Sequence, residues 1–164
     1  MKVYTLEAVQ KVPISMEEAW AFLSNPKNLS KITPEYMNFC ITSNSLPEKI
    51  YPGLMVSYTV CPFPNLPITW VSEITQVQEL NYFVDEQRFG PYRMWHHEHF
   101  LKEIPGGVEM VDIIHYVLPL GFIGSLAREV FVKRQLDGIF NFRQKRMEEM
   151  FGIMDSQTKI ETGK

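Results

Sequence analysis

Between Met94 and Phe100 the chain reads Met-Trp-His-His-Glu-His-Phe, which places three of its four histidines within four positions. Alternate residues of a strand share a face. Trp95, His97, His99 and Leu101 therefore point one way, and Met94, His96, Glu98 and Phe100 the other. The following segment divides in the same manner into Met110, Asp112, Ile114 and Tyr116 against Glu109, Val111, Ile113 and His115. A tight turn at Pro105-Gly106 would bring His99 opposite Asp112 or one pair away, within reach of a carboxylate–imidazole hydrogen bond. The segment before it adds Asp85 and Gln87 if their parity turns them inward.

Three chemistries fit this cluster. A His97/His99 pair oriented by Asp112 could move a proton to and from a bound carbonyl, as a cyclase or dehydratase requires. His-x-His with a neighbouring carboxylate also supplies two imidazoles and an oxygen to a metal. The third reading is a satisfied polar network, because buried polar groups need partners and histidines between strands often take a carboxylate. This last reading carries the most weight, so neither a metal nor a cofactor is expected, and His97, His99 and Asp112 stand as catalytic residues only under the first.

The elements that position the cluster follow from periodicity. Residues 2–12 alternate as a strand. Ser15-Met16-Glu17-Glu18 reads as a capping box opening a short helix to about Ser24, with Ala19, Trp20 and Leu23 inward. Asn25-Pro26 starts a second short helix that reaches Ile32 and stops at Thr33-Pro34. From Phe39 to Pro119 strand-length stretches alternate with Gly, Pro and Asn punctuation, which predicts six consecutive antiparallel strands. Pro105-Gly106 suits the centre of a type II turn. Beyond Gly121 the period changes: Leu126, Val130, Leu136, Ile139, Phe140, Met147 and Met150 recur at helical spacing, predicting a helix over 125–152 of about 42 Å. Residues 155–164 read as a polar, frayed tail. The pattern is α+β, about seven antiparallel strands wrapped around a long C-terminal helix, in one domain over 1–154.

Such a sheet gripping a helix encloses an apolar interior with a few polar groups, a small-molecule site by default. The expected lining from the first part of the sheet is Trp70, Phe83, Gln87 and Trp95. His97, His99, Met110, Asp112 and Tyr116 follow from the histidine strand and its neighbour, with Phe131 and Ile139 from the helix.

Ile32-Thr33-Pro34, Pro67-Ile68-Thr69-Trp70, Phe83-Val84-Asp85-Glu86-Gln87, Gly90-Pro91-Tyr92, Trp95-His96-His97-Glu98-His99, Met110-Val111-Asp112 and Leu118-Pro119-Leu120-Gly121 carry a family resemblance. In order and spacing the chain resembles the START-like or SRPBCC superfamily, the helix-grip fold of birch-pollen-allergen-like proteins, polyketide cyclases and coenzyme Q-binding proteins. Its bacterial branch is loosely labelled cell-division inhibitor. The resemblance covers residues 3–152 and implies a lipid, isoprenoid, polyketide or aromatic ligand. It also implies two alternatives: a cyclase- or dehydratase-like enzyme, or a protein-interaction or cell-division-related module. Leu101 stands where that branch carries an aromatic residue.

Composition bounds these readings. The chain has 164 residues, 45% of them hydrophobic, and 16 basic against 19 acidic side chains give a net charge of -3. That balance argues against a nucleic-acid partner. Arg128, Lys133, Arg134, Arg143, Lys145 and Arg146 read as the solvated basic face of the long helix, which leaves peripheral contact with an anionic membrane surface open. Cys40 and Cys61 lack metal spacing and read as buried thiols of a reducing compartment. With no signal-like start and no membrane-length apolar run, the expected location is cytoplasmic, as a monomer or homodimer. Cys61-Pro62-Phe63-Pro64-Asn65-Leu66-Pro67 reads as a stiff loop tucked onto its own domain. Phosphate-cradling glycine loops and a Gly-x-Ser-x-Gly elbow are both missing.

Overall fold

Alternation at the start of the chain forms strand β1, Tyr4–Val12, with Leu6, Ala8, Gln10 and Val12 buried on one face. The computed structural model describes residues 2–63, 66–119, 125–154 and 159–163. Helix α1, Met16–Leu23, opens where the Ser15 hydroxyl accepts from the Glu18 backbone N–H at 3.1 Å. Asn25 caps the second short helix through the Lys27 N–H, and that helix, Pro26–Ile32, winds as a 3-10 helix. There the Ser30 and Thr33 hydroxyls bond back to the Lys27 and Leu29 carbonyls, the side-chain competition that disfavours regular α-structure.

Six strands follow: β2 (Cys40–Ile41), β3 (Met55–Phe63), β4 (Leu66–Gln78), β5 (Tyr82–Phe89), β6 (Met94–Ile104) and β7 (Gly107–Val117). Helix α2, Ser125–Phe151, comes next, then β8, Lys159–Gly163. Every strand pairs antiparallel in one sheet of order β2-β3-β4-β5-β6-β7-β1-β8. The seven expected strands are thus present, with one more at the edge. Part of the tail read as frayed is ordered backbone, because residues 159–163 pair with Thr5–Val9. A hydrogen-bonded edge of β1 outweighs the polar composition of the segment. Residues 155–158 and 164 lie outside the described residues.

The β6–β7 hairpin closes at Ile104 opposite Gly107, and Gly106 takes φ +84°, the left-handed value a type II turn demands. β3 and β4 extend further than expected: Cys61 and Pro62 belong to β3, and Phe63 pairs with Leu66 past an irregularity after Val60. Of the seven residues read as a loop, Cys61, Pro62 and Phe63 belong to β3 and Leu66 and Pro67 to β4, while 64 and 65 lie outside the described residues; Gln135 of α2 donates to the Pro62 carbonyl at 2.7 Å. Neither cysteine is buried: Cys40 is exposed and Cys61 half-buried, both as free thiols. The edge position of two-residue β2 leaves Cys40 uncovered.

α2 lies on the inner face of the sheet with Leu136, Phe140, Arg143 and Met147 buried. It is tethered at several points. Gln10 of β1 donates to the Gln144 carbonyl at 2.9 Å, and Phe22 of α1 meets Phe151 edge-on with ring centres 5.1 Å apart. No described helix is long and apolar enough to cross a membrane.

Candidate functional site

Cross-strand register builds the site. Asp85 of β5 sits opposite His97 of β6, Phe83 opposite His99, and His99 opposite Asp112 of β7. His97, His99 and Asp112 are all buried. On the opposite face His96 lies 3.1 Å from Glu86, the outward set the alternation assigns.

The inner four groups interlock. His97 Nε2 hydrogen-bonds Asp112 Oδ1 at 3.2 Å, and its Nδ1 lies 3.5 Å from Asp85 Oδ2. His99 Nε2 hydrogen-bonds Asp85 Oδ2 at 3.0 Å. Its Nδ1 lies 2.7 Å from Asp112 Oδ1 but makes no hydrogen bond, so that contact is an ion-pair approach with poor alignment. The two rings sit 3.7 Å apart, and Phe83 stacks on His99 at 4.1 Å. Arg143 of α2 completes the set with Nη1 3.2 Å from Asp112 Oδ1. On the other flank Ser72 donates to Asp85 at 3.4 Å, accepts from Trp70 Nε1 at 3.1 Å and meets the Tyr58 hydroxyl at 3.2 Å.

These contacts split the two imidazoles. For His97, desolvation and the neighbouring His99 hold the ring below the ordinary histidine range despite both carboxylates. For His99, burial pushes the same way, but the two carboxylates beside the ring, Asp112 and Asp85, outweigh it and raise the ring. Burial also works against ionising both carboxylates. Arg143 nonetheless holds Asp112 well below the carboxylate range, and His99 with His97 lowers Asp85. Desolvation lifts the Tyr58 phenol far above its ordinary range, so it stays a neutral hydroxyl.

A cavity of about 240 Å³ lies between this wall, α2, α1 and the 3-10 helix. Its surface is mostly apolar, from Leu29, Ile32, Met37, Val56, Val60 and Ile74 among others, with Asp85, His97, His99, Ser72 and Arg143 at one side. Of the expected lining, Trp70, Phe83, Trp95, His97, His99 and Ile139 face the cavity.

Five do not. Gln87 instead closes the β5–β6 turn, donating to the Tyr92 carbonyl at 2.7 Å and accepting from its N–H at 3.2 Å. Met110 is packed in the core, and Tyr116 stands behind Tyr92 and Trp95 with ring centres 5.7 and 6.2 Å away. Asp112 lies behind the histidines, and Phe131 is 43% exposed one turn before the lining part of α2. Strand parity identifies a face but not how far along it the cavity extends, which accounts for Met110 and Tyr116.

Arg143, expected on the solvated face of the helix, is only 9% exposed. The signal was available: position 143 lies seven after Leu136, three after Phe140 and four before Met147, in phase with the buried stripe. Tyr58, Ser72 and the 3-10 residues carried no comparable mark. Among the described residues, donor atoms of Asp85, His97 and His99 lie within 4.8 Å of one another, close enough to hold one metal ion.

No protein-family model and no curated protein matches the chain. Solved structures do. Protein CV1439 from Chromobacterium violaceum superposes with TM-score 0.68 at 10% identity, over 92% of this chain and 99% of that one. Protein Ms6760 from Mycobacterium smegmatis gives 0.63 at 15%, over 89% of each. Ara h 8.0201 gives 0.59 at 15%, over 90% of this chain and 99% of that one. At these identities the likeness is one of fold. With its antiparallel sheet and long C-terminal helix in the same arrangement, the chain has the START-like helix-grip fold.

Proposed function

We propose that this protein binds a small hydrophobic molecule, with a polar end of its own, in the cavity between the sheet and α2, and that it does so without transforming the molecule. The observation that carries this reading is the cavity itself: about 240 Å³, apolar on most sides and polar on one. Burial of apolar ligand surface would drive binding at roughly 25 cal/mol per Å², and the polar wall would set orientation. The volume is near the lower end of ligand pockets, roughly 300 Å³, which favours one or two rings or a short chain over a two-tailed lipid. Among lipid, isoprenoid, polyketide and aromatic ligands, compact ones fit best.

The noncatalytic reading rests on where the imidazole nitrogens point. In both histidines each ring nitrogen faces a carboxylate of the protein. A general base needs a nitrogen within hydrogen-bond reach of the ligand. Native mass spectrometry of gently purified protein beside a denatured sample tests the proposal. A defined adduct of small-molecule mass, lost on denaturation, is expected; a clean apo mass together with no thermal shift across a library of apolar ligands would overturn it.

A further inference from the structure

We propose that Asp85, His97 and His99 form a site for one divalent transition-metal ion of the Zn2+ class, with a coordination position open to the cavity. The three donors come from adjacent strands. Asp85 Oδ2 lies 3.5 Å from His97 Nδ1 and 3.0 Å from His99 Nε2. An ion held at about 2.1 Å by nitrogen and oxygen separates its donors by about 3.4 Å in a tetrahedron and about 3.0 Å in an octahedron. The two spacings to Asp85 match that range, and all three donor atoms lie within 4.8 Å of one another.

The outer contacts fit the same assignment. The nitrogen of each ring not used for the ion faces one atom, Asp112 Oδ1: His97 Nε2 at 3.2 Å and His99 Nδ1 at 2.7 Å. Metal-ligating histidines characteristically give their second N–H to a carboxylate, which fixes tautomer and ring orientation. Here one carboxylate, itself 3.2 Å from Arg143, stands beside the second nitrogen of both rings and is hydrogen-bonded to that of His97. Ligation through Nε2 keeps the His99 proton on Nδ1, the buried atom without a hydrogen bond. Asp85, His97 and His99 line the cavity whereas Asp112 does not, so the side away from Asp112 is the open one.

Charge then narrows what can occupy that position. Two carboxylates and one guanidinium leave one negative charge around neutral imidazoles, and a divalent ion turns this into one positive charge. An anionic oxygen, such as a carboxylate, enolate or phenolate, is the complementary fourth ligand. The ion site does not depend on the cavity-ligand proposal, since it can fill with solvent in the open position.

Titrating the chelator-treated full chain with Zn2+ alone, and separately with Co2+, tests the assignment. About one equivalent should bind with micromolar or tighter affinity. Zn2+ at about a hundredfold excess over Kd should raise Tm by roughly 5–10 °C, and Co2+ should give visible d–d absorption. Asp85→Asn, close to isosteric, should weaken binding at least about tenfold; Asp112→Asn, which removes the orienting carboxylate along with the charge that pairs with Arg143, should weaken it by about 10–100-fold. His96→Gln is the control, because His96, Glu86, Glu98 and His115 form a separate cluster on the outer face. Loss of binding in His96→Gln, retention in folded Asp85→Asn, or less than about one-tenth equivalent bound by the unaltered chain would each overturn the proposal.

Discussion

Arg143 of α2 and Asp112 of β7 form a buried ion pair, Nη1 to Oδ1 3.2 Å, which clamps the long helix to the sheet behind the polar wall of the cavity. Replacing Arg143 with Met keeps the bulk of the side chain but leaves Asp112 charged and buried. The expected loss is about 3–5 kcal/mol in urea denaturation. Asp112→Asn in the same chain should restore part of it, so the double variant costs less than the two single losses combined. Strict additivity would show that the pair is not coupled.

Filling the cavity should separate binding from folding. Ile139→Trp places a larger side chain at a position that lines the cavity. A neutral solvatochromic naphthalene dye should bind the unaltered protein with a blue-shifted emission and fail to bind the variant, while stability changes by less than about 1.5 kcal/mol. Dye binding that survives the substitution would place the apolar site elsewhere.

The two inner histidines should titrate on opposite sides of the ordinary value near 6.5 in metal-free protein. His99, raised, contributes stability that is fully present below about 6.5 and is lost as pH rises through its folded value. His97, lowered, contributes stability present above about 6.5 that is lost as pH falls through its own depressed value. Asp85 and Asp112, both lowered from 3.8, add stability that disappears only as pH falls below that value. Imidazole carbon-detected NMR titration reads the pair directly. A common midpoint for both rings would contradict the split.

Two glycines should respond to alanine with opposite sign. A Cβ on Gly107 would stand 2.1 Å from the Val12 carbonyl oxygen, where β7 begins against the end of β1. Gly107→Ala should destabilise by about 3 kcal/mol or more, since backbone cannot yield cheaply. Gly138, mid-helix, would meet only Tyr36 Oη at 3.9 Å. Gly138→Ala should stabilise by about 0.5–1 kcal/mol, the helix-propensity gain, and thermal denaturation measures both.

What could be read in advance was local or periodic. Ser15 and Glu18 announce a helix start because the cap is made within four residues. The His-x-His strand and the Pro105-Gly106 turn set the His99–Asp112 register because the hairpin is short. Asp85 needed the parity of β5, where irregularities after Val71 and Ile74 interrupt the count along β4, so its meeting with both histidines was only a conditional reading. Arg143 was visible in phase but its charge argued for solvent, and only a carboxylate on a strand distant in sequence reverses that argument. Gln87 and Phe131 were misplaced for a shared reason: which end of a face meets a turn or solvent depends on how elements stack, not on their periodicity.

The pairing of Lys159–Gly163 with Thr5–Val9 gives the C-terminal segment a protective role. Without it, β1 would present a row of unsatisfied N–H and C=O groups able to template another chain. At the opposite margin, two-residue β2 and the backbone bonds from Thr42 and Ser43 to the Ser57 carbonyl shield part of β3. A chain shortened at residue 154 would therefore be prone to strand-by-strand self-association, through an edge that residues 159–163 keep occupied.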